Sequence, residues 1–380
     1  MKAIPYGRQF IDPSDIREVS RSLKSDLITT GKYVQKFEKV IKKKINSKFV
    51  LSCSSGTAAL HLSFLAINLK KNDVVVMPSI NFIASYNLCK SLGAKVFLAD
   101  VDKFTGQMTP KTLLECIKKN KIKKIKLFIT MYLGGYPENI KEFYLIKKKF
   151  NCFLIEDACH AFGAKYKVKN KVFNIGSCKH SDLCTFSLHP VKTITSGEGG
   201  ILTTNNKKLY QHALSLRSHG IIKNVNFHWK YDVVLNGYNY RLSDINCALA
   251  LSQFKKIKKF IGFRKKIFNV YKKEFKDLKF VKTPRYSLNN YPSYHLFVAI
   301  FNFKNFTKDK FLIYLKTKKI ISQFHYIPIY KFLIYDKKLK LPSAEKYFKH
   351  AVSLPIYYPI KLTHVKKIVK LIKYFFKNYK

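Results

Sequence analysis

A single lysine in a loop of small and polar residues is the first group in this sequence that could do chemistry. Lys192 is the one lysine or arginine in the stretch "TFSLHPVKTITSGEGG", residues 185–200, although the chain contains 72 such residues. The glycines that follow let the backbone pass close to a ligand. A lysine held away from water has a lowered pKa, and its neutral amine can form a Schiff base with an aldehyde. Because a lone loop lysine is otherwise solvated, other groups must accompany Lys192 for a covalent role.

An acidic pair at the end of an apolar run is the second such feature. In "NCFLIEDACHAFGA", residues 151–164, four apolar residues precede Glu156 and Asp157. A carboxylate at the C-terminal end of a central strand is costly to desolvate unless a cation lies beside it. A protonated pyridine nitrogen would be such a cation, and the pair would keep the ring as an electron sink. The alternative is that Asp157 is the N-cap of a helix.

Small residues between an apolar run and a helical pattern form the third feature. In "LSCSSGTAALHL", residues 51–62, free backbone N–H groups and the positive end of a helix dipole would meet where a phosphate can bind. Gly56, Thr57 and Ala58 are the candidates, and the Thr57 hydroxyl adds a donor. The same residues could instead form an ordinary helix cap.

Short apolar runs alternate with amphipathic segments from residue 48 to about 205. Strands followed by helices are typical of a doubly wound, mostly parallel α/β sheet, whose loops after the strand ends build the site. Residues 240–275 repeat apolar positions at helical spacing for longer than an ordinary helix, which predicts a bridge into a second unit. We therefore predict a large domain over residues 1–250 and a small C-terminal α+β domain over residues 251–380.

The formal charge of +50 would by itself suggest a nucleic-acid partner. Lysines, however, recur on the polar face of nearly every expected helix, which is typical of residue usage and solubility. We therefore expect no nucleic acid, and the excess charge would only help to attract a small anionic substrate.

The eight cysteines form no CxxC pair and have no zinc-type spacing, so we expect reduced thiols and no metal site. The N-terminal segment lacks an apolar signal core, and no window reaches the roughly 18 apolar residues of a membrane span. These patterns predict a cytoplasmic protein without a membrane partner.

The order of four segments resembles the DegT-type sugar aminotransferases, which are pyridoxal 5'-phosphate enzymes with the aspartate aminotransferase fold (PLP fold type I). The segments are "SSGTAAL", "EDACHAFGA", "FSLHPVKTITSGEGG" and "GYNYRLSDINCALALSQ". The resemblance runs from residue 4 to at least residue 265. "IPYGRQFID" and "LNGYNYRLSDI" look closest to members that act in pseudaminic acid biosynthesis. This resemblance implies transfer of an amino group from L-glutamate to a UDP-linked 4-keto-6-deoxy-N-acetyl-hexosamine, namely UDP-2-acetamido-2,6-dideoxy-β-L-arabino-hex-4-ulose.

The resemblance also implies roles for individual residues. Lys192 would bind the cofactor aldehyde covalently, and Asp157 would pair with the pyridine nitrogen. Phe82 would stack on the cofactor ring and His160 would lie near the ring hydroxyl, while Ser187 would bind the phosphate beside the helix start. Without the family, Phe82 would be interpreted as a core aromatic residue.

Asn239, in "GYNYR", matches a position that in relatives reaches the cofactor phosphate of the neighbouring subunit, which implies a homodimer with a shared active site. By itself Asn239 would be interpreted as a turn residue. Tyr6, Arg8, His325 and Tyr326 are our candidates for contacts with the sugar or its diphosphate, and the alternative for His325 is a structural histidine.

Two other functions are compatible with the same motifs. The enzyme could aminate another UDP- or dTDP-linked keto sugar, because the motifs do not fix the hexose or the nucleotide. The fold could also serve as a non-catalytic, sugar-binding regulator. The presence of Lys192 together with Asp157 argues against that second alternative.

Overall fold

The computed structural model of this chain describes residues 3–224, 226–227, 229–303, 306–335 and 338–378. Its helices are α1 (Pro13–Leu23), α2 (Lys32–Ile45), α3 (Gly56–Ala66), α4 (Ala84–Ser91), α5 (Pro110–Lys119), α6 (Ile140–Phe150), α7 (Lys207–Arg217), α8 (Asp244–Lys255), α9 (Ile257–Glu274), α10 (Lys308–Thr317), α11 (Pro342–His350) and α12 (Leu362–Asn378), with short 3-10 helices at Leu133–Gly135 and Ile329–Lys331. Within these described ranges, no helix combines the length and the apolar character that crossing a membrane requires.

The strands alternate with these helices in the first two thirds of the chain. They are β1 (Phe49–Cys53), β2 (Val74–Pro78), β3 (Lys95–Ala99), β4 (Leu127–Met131), β5 (Phe153–Asp157), β6 (Lys165–Val168), β7 (Lys171–Asn174), β8 (Leu183–Ser187), β9 (Gly200–Thr204), β10 (Ile221–Lys223), β11 (Tyr231–Val233), β12 (Val281–Lys282), β13 (Asn290–Tyr291), β14 (Phe297–Phe301) and β15 (Ala351–Leu354).

A seven-stranded sheet with the order β1-β9-β8-β5-β4-β2-β3 forms the centre of the molecule. Neighbouring strands from β8 to β3 pair in parallel, and only β9 runs against its two neighbours. Strands such as β4 are buried along their whole length, as expected of parallel strands covered by helices on both faces. The predicted α/β class with a mostly parallel sheet is therefore confirmed.

The reversed strand β9 explains how the lysine loop reaches the sheet edge. Ser187, the last residue of β8, lies opposite Gly200, the first residue of β9, so residues 188–199 must turn back at this edge. A Cβ on Gly200 would lie 2.0 Å from the carbonyl oxygen of Ser55. Glycine is therefore required at position 200, where the returning strand passes the backbone of Ser55. The predicted approach of this backbone to a ligand stays a prediction.

A second, smaller unit has its own sheet, β12-β14-β15, and its own apolar core from α9, α10 and α12. The expected helical bridge over residues 240–275 consists of two helices, α8 and α9, which meet at Lys256. Ile4 belongs to the core of the smaller unit and pairs with Ile320, so the N-terminal segment crosses to it. The domain boundary after residue 250 stays a prediction.

Candidate active site

A cavity of about 800 Å³ opens at the C-terminal edge of the central sheet. The last residues of three adjacent strands line it, namely Met131 of β4, Asp157 of β5 and Ser187 of β8. This is the edge at which parallel α/β sheets bind ligands. The residues predicted from the sequence that line the cavity are Tyr6, Gly56, Thr57, Phe82, Asp157, His160, Ser187, Lys192, His325 and Tyr326.

Three predicted residues do not line the cavity. The backbone N–H of Ala58 donates to the Ser55 hydroxyl at 3.0 Å, so it is already used as part of a helix cap. The Arg8 guanidinium lies 5.8 Å from the centre of the Tyr357 ring, beside a small adjoining void. Asn239 is exposed and pairs with Ser218, outside the cavity of its own chain.

The surroundings of Lys192 shift the pKa of its amine. Burial holds the pKa of the Lys192 amine below its ordinary value of 10.5, while the neighbouring Cys159 and Asp157 act in the opposite direction. A lowered pKa increases the fraction of neutral amine, which is the form that attacks an aldehyde. Of the described residues that line the cavity, Lys192 is the one lysine or arginine.

Asp157 is a buried carboxylate at the end of β5, with a side chain that is only 3% exposed. It accepts a hydrogen bond of 3.2 Å from the backbone N–H of Cys159, and no helix starts there, so the N-cap alternative is wrong. Burial raises the pKa of the Asp157 carboxyl group, although Cys159, Lys192 and Asn81 oppose the shift. The carboxylate form would therefore gain from a further cation in the cavity.

The start of α3 provides donors for an anion. Ser55 is the N-cap residue, and the first helical residues, Gly56 and Thr57, line the cavity beside Ser187. A Cβ on Gly56 would lie 2.8 Å from the Cβ of Ser187, so glycine is needed for this approach. Free N–H groups at the positive end of the helix suit a phosphate group.

Phe82 forms one wall of the cavity. Its side chain is 54% exposed although it is a large apolar residue, so the alternative of a core aromatic residue is wrong. The Tyr326 ring lies 5.9 Å from the Phe82 ring, between centroids. A flat ligand could stack on an aromatic face exposed in this way.

Three buried histidines lie together at the cavity, and two of them, His160 and His325, line it. The His160 ring is 4.3 Å from His295 and 6.1 Å from His325, between centroids. Burial, and then the charge of Lys192, holds the pKa of His160 and of His295 well below the ordinary 6.5 and lowers the pKa of His325 to about 3. All three rings are therefore neutral near pH 7.

Sequence reasoning missed Ser55, Asn81 and Cys159, which also line the cavity. Ser55 could have been found as the N-cap, because it directly precedes the glycine that starts α3. Cys159 stands inside the acidic motif itself. His295 gave no signal, because only the folded chain brings it to His160.

These groups together fit pyridoxal 5'-phosphate. A neutral amine suits its aldehyde, a buried carboxylate that gains from a cation suits its ring nitrogen, and the start of α3 suits its phosphate. The exposed face of Phe82 suits its flat ring.

Comparisons with known proteins agree with this fit. The model of the DegT/DnrJ/EryC1/StrS aminotransferase family matches residues 9–373. The chain is 36% identical to the UDP-4-amino-4,6-dideoxy-N-acetyl-beta-L-altrosamine transaminase of Campylobacter jejuni strain 81-176, over 96% of this chain and 95% of the relative. It is 31% identical to the GDP-perosamine synthase of Escherichia coli O157:H7, over the whole of both chains.

A solved structure extends the similarity to three dimensions. Helicobacter pylori PseC, an aminotransferase involved in the biosynthesis of pseudoaminic acid, superposes with a TM-score of 0.90 at 27% identity, over the whole of both chains. The resemblance drawn from the four sequence segments is confirmed. The chain therefore belongs to the DegT/DnrJ/EryC1/StrS aminotransferase family and is a pyridoxal 5'-phosphate-dependent transaminase.

Proposed function

We propose that this enzyme transfers an amino group from L-glutamate to the keto carbon of UDP-2-acetamido-2,6-dideoxy-β-L-arabino-hex-4-ulose, giving a 4-amino sugar for pseudaminic acid or surface glycan synthesis. The observation that carries the proposal is the placement of the Lys192 amine and the buried Asp157 carboxylate at one cavity. The 36% identical relative, named for transamination of a UDP-linked amino sugar, supports the choice of substrate.

Each residue at the cavity would have a defined task. Pyridoxal 5'-phosphate, when bound, supplies an aldehyde that takes up an amino group and a ring that accepts electrons from the adjacent carbon. Lys192 Nζ would hold the aldehyde carbon until an amino substrate displaces it, and would then carry a proton between the substrate and cofactor carbons. The Asp157 carboxylate would keep a proton on the ring nitrogen. Gly56, Thr57 and Ser187 would bind the phosphate.

A second candidate is amination of a different nucleotide sugar. The 31% identical relative is a GDP-perosamine synthase, so both UDP and GDP occur in the names of relatives that match nearly the whole chain. A dTDP-linked keto sugar would meet the same chemical requirements at the amine and the carboxylate.

Incubation with a panel of UDP-, GDP- and dTDP-linked 4-keto-6-deoxy sugars and L-glutamate, read by mass spectrometry, tests the proposal. We expect amination of the UDP-linked N-acetyl sugar at the highest kcat/KM, and no product from the Lys192→Ala variant. Preferred amination of a GDP or dTDP sugar would support the second candidate. Cofactor uptake without amination of any sugar would contradict both and favour a sugar-binding regulator.

We also propose a homodimer in which Asn239 reaches the site of the partner. The hairpin β10–β11 carries exposed apolar side chains, including Trp229, which is 63% exposed, and Val233. Apolar residues on α1 and the turn after it, such as Ile16 and Leu27, are also exposed. Apolar surface of this kind favours a protein interface.

Subunit complementation tests the shared site. We expect light scattering to give the mass of a dimer, and mixing inactive Lys192→Ala protein with a weakened Asn239→Ala protein to restore activity, because one site of a mixed dimer has both residues. Activity that equals the sum of the separate variants would contradict the sharing of residues.

A cytoplasmic location is the last part of the proposal. All eight cysteines are free thiols, and all but Cys159 are buried. Thiols stay reduced in the cytosol, where disulfides are rare. Fractionation of the source cells, with the enzyme detected by antibody, would test the location.

A further inference from the structure

Both ring nitrogens of His160 are already engaged within the protein. The backbone N–H of Gly134 donates to His160 Nδ1 at 3.3 Å. His160 Nε2 lies 3.0 Å from the hydroxyl oxygen of Tyr326. His160 is only 2% exposed, so further partners for either nitrogen have little room.

The first of these contacts fixes the tautomer of the ring. A backbone N–H can only donate, so Nδ1 must be the acceptor and cannot carry a hydrogen. A neutral imidazole then carries its hydrogen on Nε2. His160 therefore donates from Nε2 to the oxygen of Tyr326.

The surroundings of His160 keep it neutral, so this arrangement is maintained. His295 lies on one side of the ring, His325 is close to it, and Lys192 faces it from the lysine loop. Burial is the largest cause of the low pKa of His160, and these three groups act in the same direction. A second proton on the ring would also have to displace the Gly134 N–H.

The hydroxyl hydrogen of Tyr326 is consequently left free to point elsewhere. The Tyr326 oxygen accepts from His160, and no other hydrogen bond of this hydroxyl is found among the described residues. Tyr326 lines the cavity opposite Phe82, so a ligand there would meet this hydrogen. Burial, followed by the Asp157 charge, raises the pKa of Tyr326 well above 10, so the phenol remains a donor.

We infer that Tyr326, oriented by His160, donates the hydrogen bond to an oxygen of the bound reactants, and that His160 acts only through it. The acceptor is either the ring hydroxyl oxygen of pyridoxal 5'-phosphate or the keto oxygen of the sugar. The second possibility rests on the proposed function, whereas the first does not. In the first possibility, Tyr326 takes the contact that the family resemblance assigns to His160. In both, His160 is a positioning residue that acts through Tyr326.

Removal of the hydroxyl in Tyr326→Phe tests the inference in two arms. The first arm measures the dissociation constant and absorption spectrum of the bound cofactor without sugar. The second measures binding of the keto sugar to the loaded enzyme by calorimetry. Loss of one such hydrogen bond is expected to weaken binding about 10-fold in one arm. The control is Tyr330→Phe, which loses a hydroxyl bonded to Glu345 outside the cavity and is expected to change neither arm.

Variants of His160 separate positioning from direct contact. His160→Phe should weaken the same arm, and the double variant with Tyr326→Phe should bind no worse than Tyr326→Phe alone, because both changes remove one interaction. His160→Gln retains a donor and an acceptor and should keep binding within about threefold of the native value.

The outcomes decide between the two roles. Weaker cofactor binding in the first arm shows that Tyr326 donates to the ring hydroxyl oxygen, even if the proposed sugar substrate is wrong. Weaker sugar binding alone shows that Tyr326 donates to the keto oxygen. Unchanged binding in both arms overturns the inference, as does a double variant that binds much worse than Tyr326→Phe. If thermal melts show that His160→Phe is unfolded, His160→Gln decides. The inference is overturned if His160→Gln weakens binding about 10-fold while Tyr326→Phe binds as tightly as the native enzyme.

Discussion

Lys192 owes its expected reactivity to a competition between burial and charge. Burial lowers the pKa of its amine, the neighbouring Asp157 and Cys159 raise it, and burial is the larger cause. Covalent capture of an aldehyde requires the neutral amine, so capture should increase with pH through the pKa of this group. The midpoint should lie below 10.5, the ordinary value for a lysine.

Borohydride trapping with pyridoxal 5'-phosphate measures this midpoint. Peptide mass spectrometry across pH 6 to 11 would follow the labelled fraction at Lys192 and, as an internal control, at the exposed Lys207. We expect Lys192 to be labelled at lower pH than Lys207, and Lys192→Ala to remove the early component. Equal profiles for the two lysines would show that burial does not activate Lys192.

The buried ring of His325, which lines the same cavity, makes the free energy of unfolding depend on pH. Burial lowers the pKa of this ring to about 3, compared with 6.5 for a free histidine. Between these values the unfolded chain binds a proton that the folded chain does not, so the free energy of unfolding decreases as the pH falls below about 6.5. The contribution approaches about 1.4 kcal/mol per pH unit for one such group.

Urea unfolding of His325→Gln between pH 8 and 5 checks this contribution. At pH 8 histidine and glutamine at position 325 are both uncharged. The difference in the free energy of unfolding at that pH therefore reports only lost contacts, such as the 2.8 Å hydrogen bond with the Ser353 hydroxyl. We expect the variant to lose less stability than the native enzyme on acidification. Parallel curves from pH 8 to 5 would contradict a neutral, buried His325.

The position at the cavity could be predicted from the sequence for residues within short motifs, and could not for residues that the fold assembles. Asp157 ends an apolar run and Lys192 lies in the loop after β8, and the ends of strands in a parallel sheet are a known place for chemistry. The helix-start pattern predicts a free N–H at Ala58, but this N–H donates to the Ser55 hydroxyl. His295 reaches His160 only because the smaller unit packs behind the cavity.

At the scale of elements, the start of α3 depends on one glycine. A Cβ at Gly56 would lie 2.8 Å from Ser187 Cβ and 3.3 Å from Cys159 Sγ, so the helix would have to move away from the lysine loop. Gly56→Ala should therefore cost about 1–3 kcal/mol of stability, as other overpacked sites do. Cofactor binding should weaken about 10-fold or more, because the N–H groups at the helix start move with it.

Gly262→Ala is the matched control for that substitution. Gly262 lies within α9, and a Cβ there would meet nothing within 4 Å. Alanine should raise the stability of this helix by up to about 1 kcal/mol and leave cofactor binding unchanged. Thermal melts and fluorescence titration with the cofactor give both quantities. Equal effects of the two alanines would rule out a special role for the start of α3.

The elements themselves were predictable to different degrees. The strands of the central sheet were found because they are short apolar runs bounded by turn residues. The break at Lys256 was not found, because the apolar periodicity continues from α8 into α9. The hairpin β10–β11 was also missed, since its apolar residues are exposed and form no buried pattern.

At the scale of the whole molecule, a charge of +50 surrounds a cavity whose described lining includes one lysine and no arginine. Attraction of an anionic substrate must therefore come mainly from the field of many distant lysines. Such a field raises association rates, and salt screens it over about 8–10 Å at physiological ionic strength.

This field predicts a salt dependence that differs between the two substrates. For a nucleoside diphosphate sugar, kcat/KM should fall about 3- to 10-fold between roughly 0.05 and 0.3 M NaCl, because salt slows the capture of a dianion. L-Glutamate carries a smaller net charge, so its kcat/KM should fall less, and kcat for both should stay nearly constant. Stopped-flow absorbance of each half-reaction gives these values separately. An equal fall for both substrates, or a fall in kcat alone, would mean that salt acts on the protein and not on the approach of the nucleotide.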